Sequence, residues 1–460
     1  MTLHPAIQRL ILQYNPLEEV GSASFQFHPE LTLVDLSRNS LARIQDKTFE
    51  AQKRLTVLRL AGNQLTRIDN LTFFGLEGLR VLDLSSNLLT SLPVNLLEAM
   101  PNLEELNLAN NRFQTIEPGL FSGLCCLRKL SLAGNQLTSL HLNTSSLLEE
   151  LDLSNNSLIS LQLEHLPHLT SLDLSSNPLG SNINSTSLVQ LSAISFLNLS
   201  NLGLQAAPSG LLNQVKNLRR LFLNGNNFTA LAAGTFSELG QLQHLELADN
   251  HQLELVTSGA FLGLAQLTSL RLAGNQRLSR LEPGLLEPLT SLRHLDLEQN
   301  GLTSIDVEIA SAVQRLGFLR LAGNPWVCNC DLRPLQTALM GRGITAPSLL
   351  VCDQPLSLQG RDVITVNLTT LCPPLESSST TAANYTPLIA ACVTVLFLLC
   401  VAGAIVSVVL YRRRSAVSNR RQWLTQHRPA AGRLSKDYQI PADLFHSVPI
   451  GGRDIPVTEL

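Results

Sequence analysis

Between Ile7 and Trp326 one pattern, L-x-x-L-x-L-x-x-N-x-L, recurs fourteen times, beginning at Ile7, Leu31, Leu55, Leu79, Leu103, Leu127, Leu148, Leu169, Ile194, Leu218, Leu242, Leu267, Leu292 and Leu316. Most units are 24 residues long. Side chains alternate across an extended strand, so Leu82 and Leu84 point to one face while Val81 and Asp83 point to the other. A unit with one such strand cannot enclose its own leucines. Units stacked side by side can, because each completes the core of its neighbours. The expected fold is an α/β solenoid with one parallel sheet lining its concave side, on the order of 65 Å long at about 4.8 Å per strand.

The ninth position is asparagine in thirteen units: Asn15, Asn39, Asn63, Asn87, Asn111, Asn135, Asn156, Asn177, Asn226, Asn250, Asn275, Asn300 and Asn324. Where each strand turns sharply, backbone groups point inward without ladder partners, and an amide both donates and accepts, so these side chains are expected to link adjacent coils. Leu202 interrupts the series in the ninth unit. A second spine, Phe25, Phe49, Phe73, Phe121, Phe236 and Phe261, reads as core on the convex side. The units starting at Leu127 and Leu148 have only 21 residues and no such phenylalanine, which predicts a thinner outer layer and a local change of curvature there. Those starting at Leu242 and Leu267 gain one residue after the asparagine, which predicts a bulge at one edge.

Eight cysteines are present, and four of them, Cys328, Cys330, Cys352 and Cys372, cluster just after the last unit. Such a set could hold zinc or form two disulfides; the paired C-x-x-C knuckles usual in zinc sites are missing, which favours disulfides. Cys125 and Cys126 sit side by side between units and read as partly buried thiols rather than an intermolecular bridge, while Cys392 and Cys400 fall in an apolar run.

The stretch Asn324-Pro325-Trp326-Val327-Cys328-Asn329-Cys330-Asp331-Leu332 resembles the cysteine-rich C-terminal cap of extracellular leucine-rich-repeat proteins. That family includes Slit, the Toll-like receptors, trophoblast glycoprotein and the neuronal leucine-rich-repeat transmembrane proteins. The resemblance implies a horseshoe of repeats, pairing of Cys328 with Cys352 and of Cys330 with Cys372, and Trp326 sealing the end of the leucine core. An open solenoid end has to be covered by something.

The remaining chain suggests how such a solenoid is anchored. Repeats occupy 1–326 and the cap 324–372, followed by a Ser/Thr/Pro-rich stalk at 373–387 without Lys or Arg. Leu388 to Leu410 is a 23-residue stretch free of charge. As a helix it spans about 35 Å against a hydrocarbon core of roughly 30 Å, so 388–411 is read as a single transmembrane helix. Arg412, Arg413 and Arg414 follow at once, with Arg420 and Arg421 close behind, placing the tail, 412–460, in the cytosol. All eight N-x-S/T acceptors, Asn70, Asn143, Asn155, Asn184, Asn198, Asn227, Asn367 and Asn384, precede the span, which agrees with an extracellular, glycosylated ectodomain at the plasma membrane. Met1-Thr2-Leu3-His4 leads almost directly into the first repeat, without a signal peptide or a cysteine-bearing N-terminal cap, so a preceding front end is expected.

The formal net charge of −3 hides an asymmetry: the tail carries nine Lys/Arg against four Asp/Glu, and the rest 24 against 32. An acidic ectodomain offers no footprint for nucleic acid. No H-E-x-x-H, G-x-S-x-G, G-x-G-x-x-G or P-loop occurs, so neither an enzyme, a cofactor nor a metal site is expected.

Two features point to partners. On the solvent side of the strands, Phe196, Arg220, Phe222 and His244 fall on adjacent units, and aromatics beside arginine are the composition of binding hot spots for a protein ligand. A glycan on Asn198 would partly cover Phe196 and Phe222. The terminus Val457-Thr458-Glu459-Leu460 has the T-x-hydrophobic-carboxylate form bound by one class of PDZ domain, with Leu460 in an apolar pocket and the Thr458 hydroxyl hydrogen-bonded. At 49 residues the tail is too short for a TIR or kinase domain, and Tyr438, Ser435 and Ser447 carry no decisive phosphorylation motif. The expected function is a type I adhesion protein or receptor. The alternative is an innate pattern-recognition receptor or co-receptor lacking a TIR domain. A cytosolic scaffold like ribonuclease inhibitor would need free Cys328 and Cys330 and no glycans.

Overall fold

A computed structural model of the chain describes residues 6–142, 147–163, 166–183, 191–341 and 350–367, with His4, Cys372 and, near the C-terminus, residues 402–403, 405–410 and 412. Two compact units divide it at Pro374. The first contains a 14-stranded parallel sheet whose strands follow one another in chain order. They are β1 (Arg9–Ile11), β2 (Leu33–Asp35), β3 (Val57–Arg59), β4 (Val81–Asp83), β5 (Glu105–Asn107), β6 (Lys129–Ser131), β7 (Glu150–Asp152), β8 (Ser171–Asp173), β9 (Phe196–Asn198), β10 (Arg220–Phe222), β11 (His244–Glu246), β12 (Ser269–Arg271), β13 (His294–Asp296) and β14 (Phe318–Arg320). Each supplies one turn of a solenoid. The register is in step: Leu82 lies between Leu58 and Leu106, so identical repeat positions stack into columns. One continuous hydrophobic core runs behind the sheet from Leu10 to the cap.

The asparagines form the expected inner ladder and are all buried from Asn39 onward. Asn111 shows the wiring. Its Nδ2 donates to Leu84 O (3.0 Å) in the preceding coil and to Leu108 O (3.1 Å) in its own, and its Oδ1 accepts from the Leu89 N–H (3.1 Å). Each such carbonyl receives two amides, since Leu84 O also accepts from Asn87 and Leu108 O from Asn135. Where Leu202 replaces asparagine, the ladder still engages the coil from the next one: Asn226 accepts from the N–H groups of both Leu202 and Leu204 (3.1 Å each).

The residue before the ladder position has a positive φ in every coil. In five coils it is glycine, but Tyr14, Arg38, Ser86 and Gln299 adopt the same left-handed geometry. That turn aims the next side chain inward, so its cost of about 1–2 kcal/mol per non-glycine residue is borne by the ladder bonds it makes possible. At Gly225 a Cβ would meet the Asn201 side-chain oxygen, which would have to turn aside to make room.

On the opposite side the phenylalanines are buried, and Phe25, Phe49 and Phe73 stack with centroids 5.4 and 6.5 Å apart. The chain there is mostly turn, with helices as short as Ser22–Phe25 and Ser209–Leu212, so the helical share is smaller than an α/β solenoid implies. In the two short units the outer path becomes extended, and Ser139–Leu142 pairs with Ser160–Leu163 as a parallel ladder. Without a phenylalanine to pack around, fewer residues close the same coil by running straight. The inserted residues after Asn250 and Asn275 are absorbed in tight turns closed by Leu253 N–H to Asn250 O and Leu278 N–H to Asn275 O, both 2.9 Å.

The C-terminal end is covered. Cys328 is bonded to Cys352 and Cys330 to Cys372, and Trp326–Val327 pairs with Cys352–Gln354. Trp326 is 0% exposed, its indole N–H donating to Leu321 O at 3.2 Å. The helix Arg333–Gly341 buries Leu335, Ala338 and Leu339, and Gln336 Nε2 ties it to Val363 O (2.8 Å) and Val366 O (2.5 Å).

The stalk at 373–387, nearly all of the tail, most of the proposed span at 388–411, and the sequons Asn143, Asn184 and Asn384 lie outside the described residues. Among the described residues no helix is long and apolar enough to cross a membrane.

Candidate ligand-binding face

The solvent side of the long sheet is built from the third and fifth positions of each repeat, because the fourth and sixth are committed to the core. Along β5 to β8 it is acidic. Lys129 stands among carboxylates there, 3.2 Å from Glu150 and 3.9 Å from Glu105. The hydrogen bond it donates to Glu150, and then the charges of Glu150 and Glu105, hold its ammonium above the usual lysine range. Asp152 and Asp173 each fold back on their own turns, accepting from the N–H groups of Ser154 (3.0 Å) and Ser175 (2.9 Å), so the L-D-L-S form has a local structural use.

From β9 onward the character changes to aromatic and arginine. Phe196 pairs with Arg220 across β9 and β10, and Arg220 pairs with His244 across β10 and β11. The Arg220 guanidinium lies 5.1 Å from the centre of the Phe196 ring, and the Phe196 and Phe222 rings are 5.3 Å apart, tilted by 45°. The four residues therefore occupy one patch, with both rings half-buried and Arg220 and His244 exposed. Asn198 sits beside them, its Nδ2 donating to Asp173 Oδ2 (2.9 Å) and its Oδ1 accepting from the Ser200 N–H (3.1 Å). A sugar on Nδ2 would leave one N–H for the Asp173 bond and would project over Phe196 and Phe222. Of the other described sequons, Asn70, Asn155, Asn227 and Asn367 are exposed.

A second cluster of the same composition escaped the sequence reading. The His294 and Phe318 rings lie 5.9 Å apart, tilted by 44°, across β13 and β14, and the Arg320 guanidinium is 5.0 Å from the Phe318 ring centre. The signal was present: R-L-F at 220–222 and F-L-R at 318–320 put the same pair in the same outward positions.

Other chemistry is sparse. Among the described residues no group of three His, Cys, Asp or Glu side chains could hold a metal ion. The sulfurs of Cys125 and Cys126 are 3.6 Å apart, and the Cys125 Sγ lies 3.5 Å from Pro101 O. The hydrogen bond to Cys125, followed by partial burial, pushes the Cys126 thiol up, away from the reactive thiolate.

Comparison with known proteins agrees with this geometry. A leucine rich repeat model matches residues 5–65, 29–89, 53–112, 78–137 and 216–276, and two further leucine rich repeat models match 147–169 and 165–183, together about half of the chain. Trophoblast glycoprotein of Macaca fascicularis is 33% identical over 233 residues, 50% of this chain and 46% of that protein. SLIT and NTRK-like protein 5 of Mus musculus is 35% identical over 99 residues, 21% of this chain and 10% of that one. The chain thus spans less than half the length of these curated relatives. Among solved structures, the TLR13–ssRNA13 complex superposes with a TM-score of 0.69 at 27% identity, covering 80% of this chain and 54% of that chain. The Drosophila Toll–Spatzle complex shares the fold, with a TM-score of 0.58 at 24% identity over 77% of this chain and 57% of that chain.

Proposed function

Because the chain belongs to the leucine-rich-repeat proteins, we propose that it is a type I cell-surface receptor or adhesion protein that binds a protein ligand on the solvent face of its long sheet. The observation that carries this reading is the contact among Phe196, Arg220 and Phe222: an exposed arginine against one half-buried ring beside another, on neighbouring strands. Aromatic and arginine anchors on a pre-formed surface supply most of the energy of typical protein interfaces. Residues 388–411 serve as the single membrane span, the arginines after it hold the tail in the cytosol, and the eight sequons carry the ectodomain's glycans. The catalytic alternative has no support in the sequence, and no cofactor is invoked.

A screen of cell-surface proteins against the displayed chain identifies the ligand. Phe222→Glu is then expected to weaken that complex at least about 30-fold, the loss of one hot spot of ~2 kcal/mol. Undiminished binding by Phe222→Glu removes this cluster as the contact. The TLR13 resemblance favours a second reading, a pattern-recognition receptor without a TIR domain; preferential capture of microbial ligands over host surface proteins would select it. An RNA ligand is disfavoured by the 24 Lys/Arg against 32 Asp/Glu outside the tail.

Inside the cell, the partner is a PDZ scaffold that adds Val457–Leu460 as a strand and seats the Leu460 carboxylate on backbone amides. A tail peptide ending at Leu460 is expected to bind PDZ domains, and the same peptide with one added Gly is expected to lose that binding. Equal binding by the two peptides rejects the scaffold.

A further inference from the structure

We propose that the ligand footprint is not centred on Phe196 but runs from Arg220 on β10 to a second anchor at Phe318 on β14, and that its occupant is an extended protein segment offering a carboxylate to Arg220 and an aromatic or aliphatic side chain to Phe318. This rests on the reading of the sheet face as the ligand surface and adds where the ligand lies and what it presents.

Three observations place it. Phe318 is 43% exposed, and Arg320 and His294 flank its ring at 5.0 and 5.9 Å, so the flanking groups support the ring without covering it. Charge then separates the two anchors. Arg320 lies 3.9 Å from Asp296 and 3.7 Å from Glu298, and Arg271 between the clusters lies 3.8 Å from Glu246 and 3.5 Å from Asp296. Those arginines are already compensated. Arg220, by contrast, has no carboxylate within ion-pair distance among the described residues, so a partner's acid is the natural complement there, while the Phe318 site asks for an apolar group. Finally, no sequon occurs between Asn227 and Asn367, whereas five fall between Asn143 and Asn227. Any glycan at Asn198 therefore borders the footprint at its Phe196 edge, and β11 to β14 carry no sequon of their own.

Four strand steps separate Arg220 from Phe318, about 19 Å along the sheet, which an extended chain covers in roughly six residues. The test uses the full chain in detergent and a displayed library of random 12-residue peptides as probe. The selected pool is expected to pair Asp or Glu with an aromatic or large aliphatic residue about six positions apart. Arg220→Glu should switch the acidic preference to Lys or Arg. Phe318→Ser should lower retention of the pool at least about tenfold, and Phe318→Tyr should retain it; Leu319 and Leu321 behind the strand keep the coil packed in either variant. A pool sensitive to Phe222→Glu but indifferent to Phe318→Ser overturns the extended footprint while leaving the proposed function standing. Indifference to both substitutions, or failure to enrich any pool, overturns both. If the chain instead self-associates without peptide and Phe318→Ser abolishes that association, the occupant is a second copy and the proposed segment is wrong.

Discussion

Asn111→Ala is expected to destabilise the solenoid by about 2–4 kcal/mol, although it removes only a small polar side chain. The Leu89 N–H loses its acceptor inside the core, which costs about 1–3 kcal/mol, while Leu84 O and Leu108 O each drop from two donors to one. The double bonding of each carbonyl keeps the penalty from rising further. Asn111→Asp tells this account apart from one based on volume. An aspartate fills the same space and can still accept from Leu89, but its second oxygen faces two carbonyls without a proton to offer them, and its charge is buried without a counterion. Asp is therefore expected to be at least as damaging as Ala. Because each coil contacts mainly its neighbours, the loss should appear in hydrogen exchange and chemical denaturation as early opening of the coils around β4 to β6. An aspartate variant as stable as the parent would refute the ladder as a hydrogen-bonded device.

The second large effect is at the other end of the array. Trp326→Ala is expected to cost about 3–5 kcal/mol, in the range found for emptying a large buried aromatic site. Trp326 is among the largest fully buried side chains of the described residues; its strand also pairs with Cys352, so the ring is held between the last coil and the disulfide-bonded cap. Trp326→Phe keeps most of the apolar volume and removes the hydrogen bond to Leu321 O, so it should cost about 1–2 kcal/mol. Thermal unfolding with the disulfides intact, read with hydrogen exchange at Leu319 and Leu321, separates the two variants. If Ala and Phe at 326 behave alike, the seal depends on the hydrogen bond rather than on packing; if neither destabilises, the cap closes the core without Trp326.

The leucines at 82 and 84 and the asparagine at 87 were legible as core and ladder because their chemistry repeats at the period of the coil. Other features left no such trace. Tyr14, Arg38 and Gln299 carry no mark of the left-handed backbone they adopt, since the ladder residue that follows imposes it from the next position. The extended outer path at Ser139–Leu142 and Ser160–Leu163 was foreshadowed only as a missing phenylalanine, because a strand on that side is stabilised by the matching segment 21 residues away rather than by its own sequence.

The same division runs through the candidate face. Repeat register alone decided that Phe196, Arg220, Phe222, His244, His294, Phe318 and Arg320 point away from the core, for the alternation of a strand leaves them no other direction. What the tertiary structure decided is which of them meet. Arg220 stacks on Phe196 of the neighbouring coil, and Phe318 gathers His294 from one strand away. Those contacts run across the stack between residues about 24 positions apart, where separation along the chain carries no information about side-chain angle. The sequence thus determined the coil, its core and its outward positions; only the stacking of coils determined the surface a partner would meet.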